Sequence, residues 1–221
     1  MEHQKLNLKE RIKQIAWINS IYGLLLPIIM GVFLWTYESE TLFRLQELNL
    51  FVPGSTFYRT FSEYPGGTLS WLGCYFTQFF YYPAWGCAIL VAMWVATFFL
   101  LRSAFKFKGL CNILPLIIPV ALLASIVQMG YFIFYIKLQG YFFSATIGCL
   151  LVALALWIFS KTEKYPIASF VWMILWSTFG YSLIGAYAML GTICMMLMYW
   201  RFADKTITQR IVLNVVGLLL A

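Results

Sequence analysis

From Thr68 to Leu101 no aspartate, glutamate, lysine or arginine occurs. Built as one helix at 1.5 Å per residue, the run would be about 50 Å long, well beyond the ~30 Å hydrocarbon core of a bilayer. The chain is therefore apolar enough to enter a membrane here and too long to cross it once without a break. Pro83 is the natural divider. It leaves Ala84 to Leu101 as a crossing of ordinary length and Leu69 to Tyr82 as an aromatic segment lying at the membrane interface or packed obliquely inside the protein.

Composition extends this reading to the whole chain. Hydrophobic residues make up 62% of the 221, charged residues only 10%, and mean hydropathy is +0.83. That places the chain among all-α, polytopic membrane proteins rather than soluble domains. The net charge of +7 would suggest nucleic acid in a soluble chain. Here the basic residues flank apolar spans, so topology accounts for them and no nucleic-acid partner is indicated.

The charges order the spans. Lys5, Lys9, Arg11 and Lys13 precede an apolar stretch from Ile15 to Tyr37, which places the N-terminus in the cytoplasm. No small-residue cleavage site follows in "VFLWTYESE", so the stretch is an uncleaved first span, with a kink expected at Pro27. The loop from Glu38 to Pro65 then lies outside, and Arg102, Lys106 and Lys108 mark the return. A third span covers Ile113 to Ile136 and a fourth Tyr141 to Ser160, ending at Lys161 and Lys164. Ile167 to Trp200 is too long for one crossing, and Arg201, Lys205 and Arg210 beyond it favour a cytoplasmic end. This predicts a buried hairpin of two short helices, broken within "TFGYS", Thr178 to Ser182. Gly185, Ala188 and Thr192 form a small-residue stripe that suits close helix packing. Counting the apolar "IVLNVVGLLLA" at the end, about six to seven membrane segments form a single domain over 1–221, expected to be the N-terminal part of a longer protein in the bacterial inner membrane.

Several chemistries are excluded by residue type. His3 is the sole histidine, so a serine or cysteine nucleophile has no imidazole base in the body of the chain, and a histidine metal site is absent. Five cysteines, Cys74, Cys87, Cys111, Cys149 and Cys194, show neither disulfide nor zinc spacing. No phosphate-binding loop occurs, and Asp204 lies among basic residues as a solvated countercharge. The crossing segments carry no ionisable Asp, Glu, Lys or Arg, which lowers the case for ion-coupled transport. No cofactor is specified.

Chemistry, if present, belongs to the outer rim. Glu40, Arg44 and Glu47 share one helical face, with Leu42, Leu45, Leu48 and Val52 opposite, the pattern of an amphipathic interfacial helix. Glu38, Glu40, Glu47 and Glu63 are the candidate catalytic carboxylates. Arg44, Arg59 and Lys137 are candidates to hold a phosphate, and Gln78 is a candidate substrate contact. The plain alternatives are a solvated face with weak ion pairs, and a Gln78 that serves as structural glue to Gln128 or to backbone freed by Pro83. Pro65, Gly66 and Gly67 make a tight turn, with Thr68 or Ser70 as a helix cap, and Trp71, Tyr75, Tyr81, Tyr82 and Trp85 suit the headgroup level.

The runs "LFRLQELNLFVPG", "PGG" and "TQFFYYPAWG", spanning Leu42 to Gly86, resemble the opening region of an uncharacterised family of large bacterial multi-pass inner-membrane proteins. The general plan is also similar to GT-C membrane glycosyltransferases. That resemblance implies a polyprenyl-linked sugar as donor and a catalytic aspartate in the first outer loop, where this chain has "ESE", Glu38 to Glu40. Three functions follow as expectations: a GT-C-like enzyme acting at the outer face, a non-catalytic membrane assembly partner, or a transporter fragment.

Overall fold

The computed structural model describes residues 2–49, 51–107, 109–129, 132, 140–162 and 165–202. The regular elements among them are helical. α1 (Glu2–Tyr37) is followed by two short rim helices, α2 (Ser39–Leu48) and α3 (Ser55–Ser62), then α4 (Gly67–Thr77) and a 3-10 turn, Gln78–Tyr81. α5 (Pro83–Phe105), a 3-10 segment (Gly109–Leu116), α6 (Ile117–Met129), α7 (Tyr141–Thr162), α8 (Pro166–Ile184) and α9 (Ala186–Phe202) complete the bundle. Ser20–Tyr37, Pro83–Phe105, Cys111–Met129, Tyr141–Thr162 and Ile167–Ile184 are long and apolar enough to span a membrane, and Ala186–Trp200 is a shorter apolar helix. Among the described residues there are thus five helices of membrane length and one shorter apolar helix.

Pro83 divides the long apolar run as expected. It stands in the first turn of α5, where its missing N–H costs no hydrogen bond. The aromatic half before it does not cross but packs: Leu69, Gly73, Cys74, Thr77 and Phe80 are buried, with α4 lying against α7 and α8. α7 is the central helix, with 61% of its span enclosed against 28–39% for the other four. Pro27 lies inside α1 without ending it.

Two sets of contacts define the ends of the bundle. At one end, Arg102 Nη1 donates to Ser20 Oγ (2.5 Å) and Trp157 Nε1 to Ser103 Oγ (3.2 Å), joining the last turns of α5 and α7 to the start of the α1 span. Lys161 lies over the Trp157 ring, 5.5 Å from its centroid. This is the basic end. At the other, the Gly66 turn meets Gly185 and the Gly140 turn meets Gly73, so the rim helices, the start of α7 and the tip of the α8–α9 hairpin share one level. α1 and α5 run antiparallel between the two ends. They approach closely because Gly23 receives the Phe98 ring and Gly31 the Val91 side chain, with no room for a Cβ at either glycine.

The hairpin departs from the sequence reading in two respects. Helix α8 continues through Thr178 to Ser182, and the break falls at Gly185, whose φ of 59° and ψ of −132° only glycine adopts without strain. Thr178 returns its hydroxyl to Ile174 O (2.8 Å), a bond that leaves the helix intact. The hairpin is also not enclosed, since Val171, Leu175, Phe179, Leu190, Ile193 and Leu197 are exposed. The small-residue stripe does pack. Ala188 and Thr192 are buried, and Trp176 crosses between the arms with its Nε1 donating to Ala188 O (3.1 Å).

Candidate functional site at the rim

The rim is a small cap on the bundle, and its α2 helix is seated by apolar burial. Leu42 and Leu45 are buried in one cluster with Leu34, Phe80 and Leu90. Leu48 and Val52, expected on the same side, are exposed instead, because α2 ends at Leu48 and the chain leaves the helical path. The apolar face of α2 therefore rests on protein.

Amides close the seam between α2 and the aromatic segment. Gln78 Nε2 donates to Asn49 O (2.5 Å), and Gln78 Oε1 accepts from Gln46 Nε2 (3.1 Å). Both ends of the Gln78 amide are thus engaged by residues about 30 positions earlier. Gln128, the partner offered from sequence, is exposed on α6. Asn49 is buried, its Nδ2 donating to Cys74 O (3.4 Å), while its Oδ1 is enclosed without a hydrogen-bond partner. Burial pushes the Cys74 thiol up to about 11, with the Asn49 side chain acting in the opposite direction. That thiol is neutral across the physiological range.

Aromatic rings hold α3. Phe51 packs against Phe57, Trp71 and Tyr75 with centroids 5.6, 5.4 and 5.4 Å away, and Tyr58 stands edge-on to Trp71 at 5.5 Å. Such contacts contribute about 0.5–1.5 kcal/mol each beyond the area they bury. Thr68 shares a hydrogen bond with the Tyr58 hydroxyl (3.2 Å). It does not cap α4, and neither does Ser70: the cap position belongs to Gly66, at φ 81°, with no side-chain bond. Tyr75, Tyr81, Tyr82 and Trp85 are exposed, as a headgroup belt requires, whereas Trp71 is half-buried.

The charged candidates stand on the outside of this cap. Glu40, Arg44 and Glu47 form the exposed face of α2, and Arg44 Nη1 lies 3.1 Å from Glu47 Oε2 with both side chains largely in solvent. Arg59 on α3 and Glu63 at its C-terminal end are exposed, while Glu38 is half-buried at the junction of α1 and α2. Among the described residues no ion pair joins Glu38, Glu40 or Glu63 to an arginine, and no three His, Cys, Asp or Glu side chains are grouped to hold a metal. Lys137, Asp204 and the apolar run 211–221 lie outside the described residues. The structure brings Arg44 to Glu47 and Gln78 to Gln46 and Asn49. Gln46 and Asn49 do not stand out in the sequence, because a single amide near the end of a short helix carries no periodic signal.

The chain belongs to a family of unknown function, DUF6057, whose model matches residues 13–221. This agrees with the uncharacterised membrane family that the rim motifs resemble. No curated protein matches the chain, and no solved structure does.

Proposed function

We propose that this member of DUF6057 is a membrane scaffold, an assembly partner whose open α8–α9 faces receive another membrane protein while its rim forms a rigid cap. Its place is the bacterial inner membrane, with the N-terminus and the basic end in the cytoplasm, in keeping with the excess of lysine and arginine there. The observation that carries this reading is the Gln78 clasp. The amides of the rim that a ligand would use hold the cap onto the bundle, and Glu40, Arg44, Glu47, Arg59 and Glu63 outside them stand in solvent as a surface. The test is the size of the particle extracted from its own membranes in mild detergent. Scaffold action calls for a protein mass, bound detergent excluded, greater than that of one copy of the protein, reduced to a single copy by Leu175→Arg with Phe179→Arg.

A second reading is GT-C-like transfer from a polyprenyl-linked sugar at the rim. It is favoured by Glu38, the half-buried carboxylate among the candidates, which sits where α1 leaves the membrane-length span. Replacing Glu38, Glu40, Glu47 and Glu63 singly by glutamine and measuring lipid-linked sugar turnover separates the two. Transfer requires a large loss in one of the four, and the scaffold requires none.

A further inference from the structure

We infer that the trough between α1 and α5 below the rim binds one acyl chain of a bilayer phospholipid. The trough has a volume of about 360 Å³ and runs along residues 28–35 of α1 and 84–91 of α5. It exists because the facing positions are small. Gly31 and Cys87 form a buried floor, Ala84 and Ala88 leave the α5 side open, and Ile28 and Trp35 stand up beside them.

Three features fix the occupant. Both walls belong to membrane-length apolar spans, so the trough opens at hydrocarbon depth. Its lining is apolar and offers no partner to a sugar or phosphate, whose buried polar groups would go unpaired. Eight residues of helix extend ~10 Å, about a third of the ~30 Å core. That is too short a seat for a partner's spanning helix and long enough for part of a flexible chain. The upper end lies beside the exposed rings of Tyr37, Tyr82 and Trp85, side chains suited to the headgroup level. The lipid therefore enters with its headgroup beside the rim and its chain in the trough. This inference is independent of the scaffold reading.

The test is native mass spectrometry of the full chain in mild detergent with added phosphatidylethanolamine. Wild type should retain one phospholipid. Ala84 and Ala88 are exposed, so larger side chains fit there without disturbing the fold, and Ala88→Trp should lower retention about tenfold, equivalent to ~1.4 kcal/mol. Ala84→Leu should act in the same direction, and Val127→Trp, at an exposed position of α6 outside the trough's lining, should leave retention unchanged. Retention by Ala88→Trp and Ala84→Leu equal to wild type would overturn the assignment. So would a wild-type chain that carries no phospholipid, or one that carries an isoprenoid lipid in its place.

Discussion

Gly66 and Gly185 lie backbone against backbone. A Cβ on Gly66 would stand 3.2 Å from Gly185 N, and one on Gly185 would stand 3.2 Å from Pro65 O. Gly66 N–H donates to Ser182 O at 3.2 Å beside them. The turn that begins α4 is thereby docked on the break between α8 and α9, and the break is covered by protein, as exposed backbone at a membrane helix end requires. A second pair repeats the device: the Gly140 turn, at φ 66°, meets Gly73 in the middle of α4 with no space for a side chain on either. α4 is held at two points along its length by glycine contacts to the neighbouring helices.

Gly185→Ala should lower stability by ~1–3 kcal/mol, since alanine pays a steric penalty at this φ and its methyl presses on Pro65. Gly66→Ala should cost ~1–2 kcal/mol for the left-handed conformation alone. Both substitutions disturb one contact, so the double variant should lose less than the sum of the two. Denaturant unfolding in detergent micelles, arranged as a double-mutant cycle, measures this coupling; strict additivity would show that the two glycines do not meet.

Gln78→Ala removes two side-chain hydrogen bonds and leaves the Asn49 carbonyl and the Gln46 amide without their partner, at an expected cost of ~1–3 kcal/mol. Gln46→Ala breaks only the 3.1 Å bond and should cost less. Limited proteolysis between α2 and α3 should report the loosened cap, with Gln78→Ala cut faster than Gln46→Ala and both faster than wild type.

Arg44→Ala and Glu47→Gln should each leave stability within ~0.5 kcal/mol of wild type, because an exposed pair gains little over hydration. Thermal midpoints in detergent check this. A loss comparable to Gln78→Ala would mean that the α2 face is packed against something other than solvent.

Cys74 should resist alkylation in the folded chain, being buried and with its thiol pushed up to about 11 from 9.0. The raised value means that the native state holds the proton more tightly than the unfolded state. This group therefore leaves stability unchanged below about pH 9 and lowers it as pH rises from about 9 to about 11. Maleimide labelling followed over time should show Cys111, exposed on the segment after α5, reacting first. Early modification of Cys74 would contradict the seating of α2 and Asn49 over α4.

Much of the architecture is legible in the sequence because bilayer thickness is an external ruler. Apolar length and basic flanks locate the spans, and Pro83 marks the start of α5, where its missing N–H costs no hydrogen bond. The break in the hairpin is not legible in this way: the sequence points to Thr178–Ser182 and gives Gly185 only a packing role, whereas the chain breaks at Gly185, whose tertiary partner, the Gly66 turn, lies more than a hundred positions away in sequence. The α2 pattern is amphipathic, yet periodicity alone does not distinguish lipid from protein as the surface beneath Leu42 and Leu45. The glutamates and arginines of the rim are legible by residue type alone, and charge in a loop says nothing about whether side chains converge.

The most direct measurement of the scaffold reading is the mass of the particle obtained when the intact chain is taken from its own membranes in mild detergent. The prediction is a defined complex whose protein mass, bound detergent excluded, exceeds that of one copy, that falls to the lone chain when Leu175 and Phe179 are both changed to arginine, and that persists in each of the four glutamate-to-glutamine variants. A wild-type chain that runs alone at its own mass, or a complex indifferent to the hairpin substitutions, would contradict it.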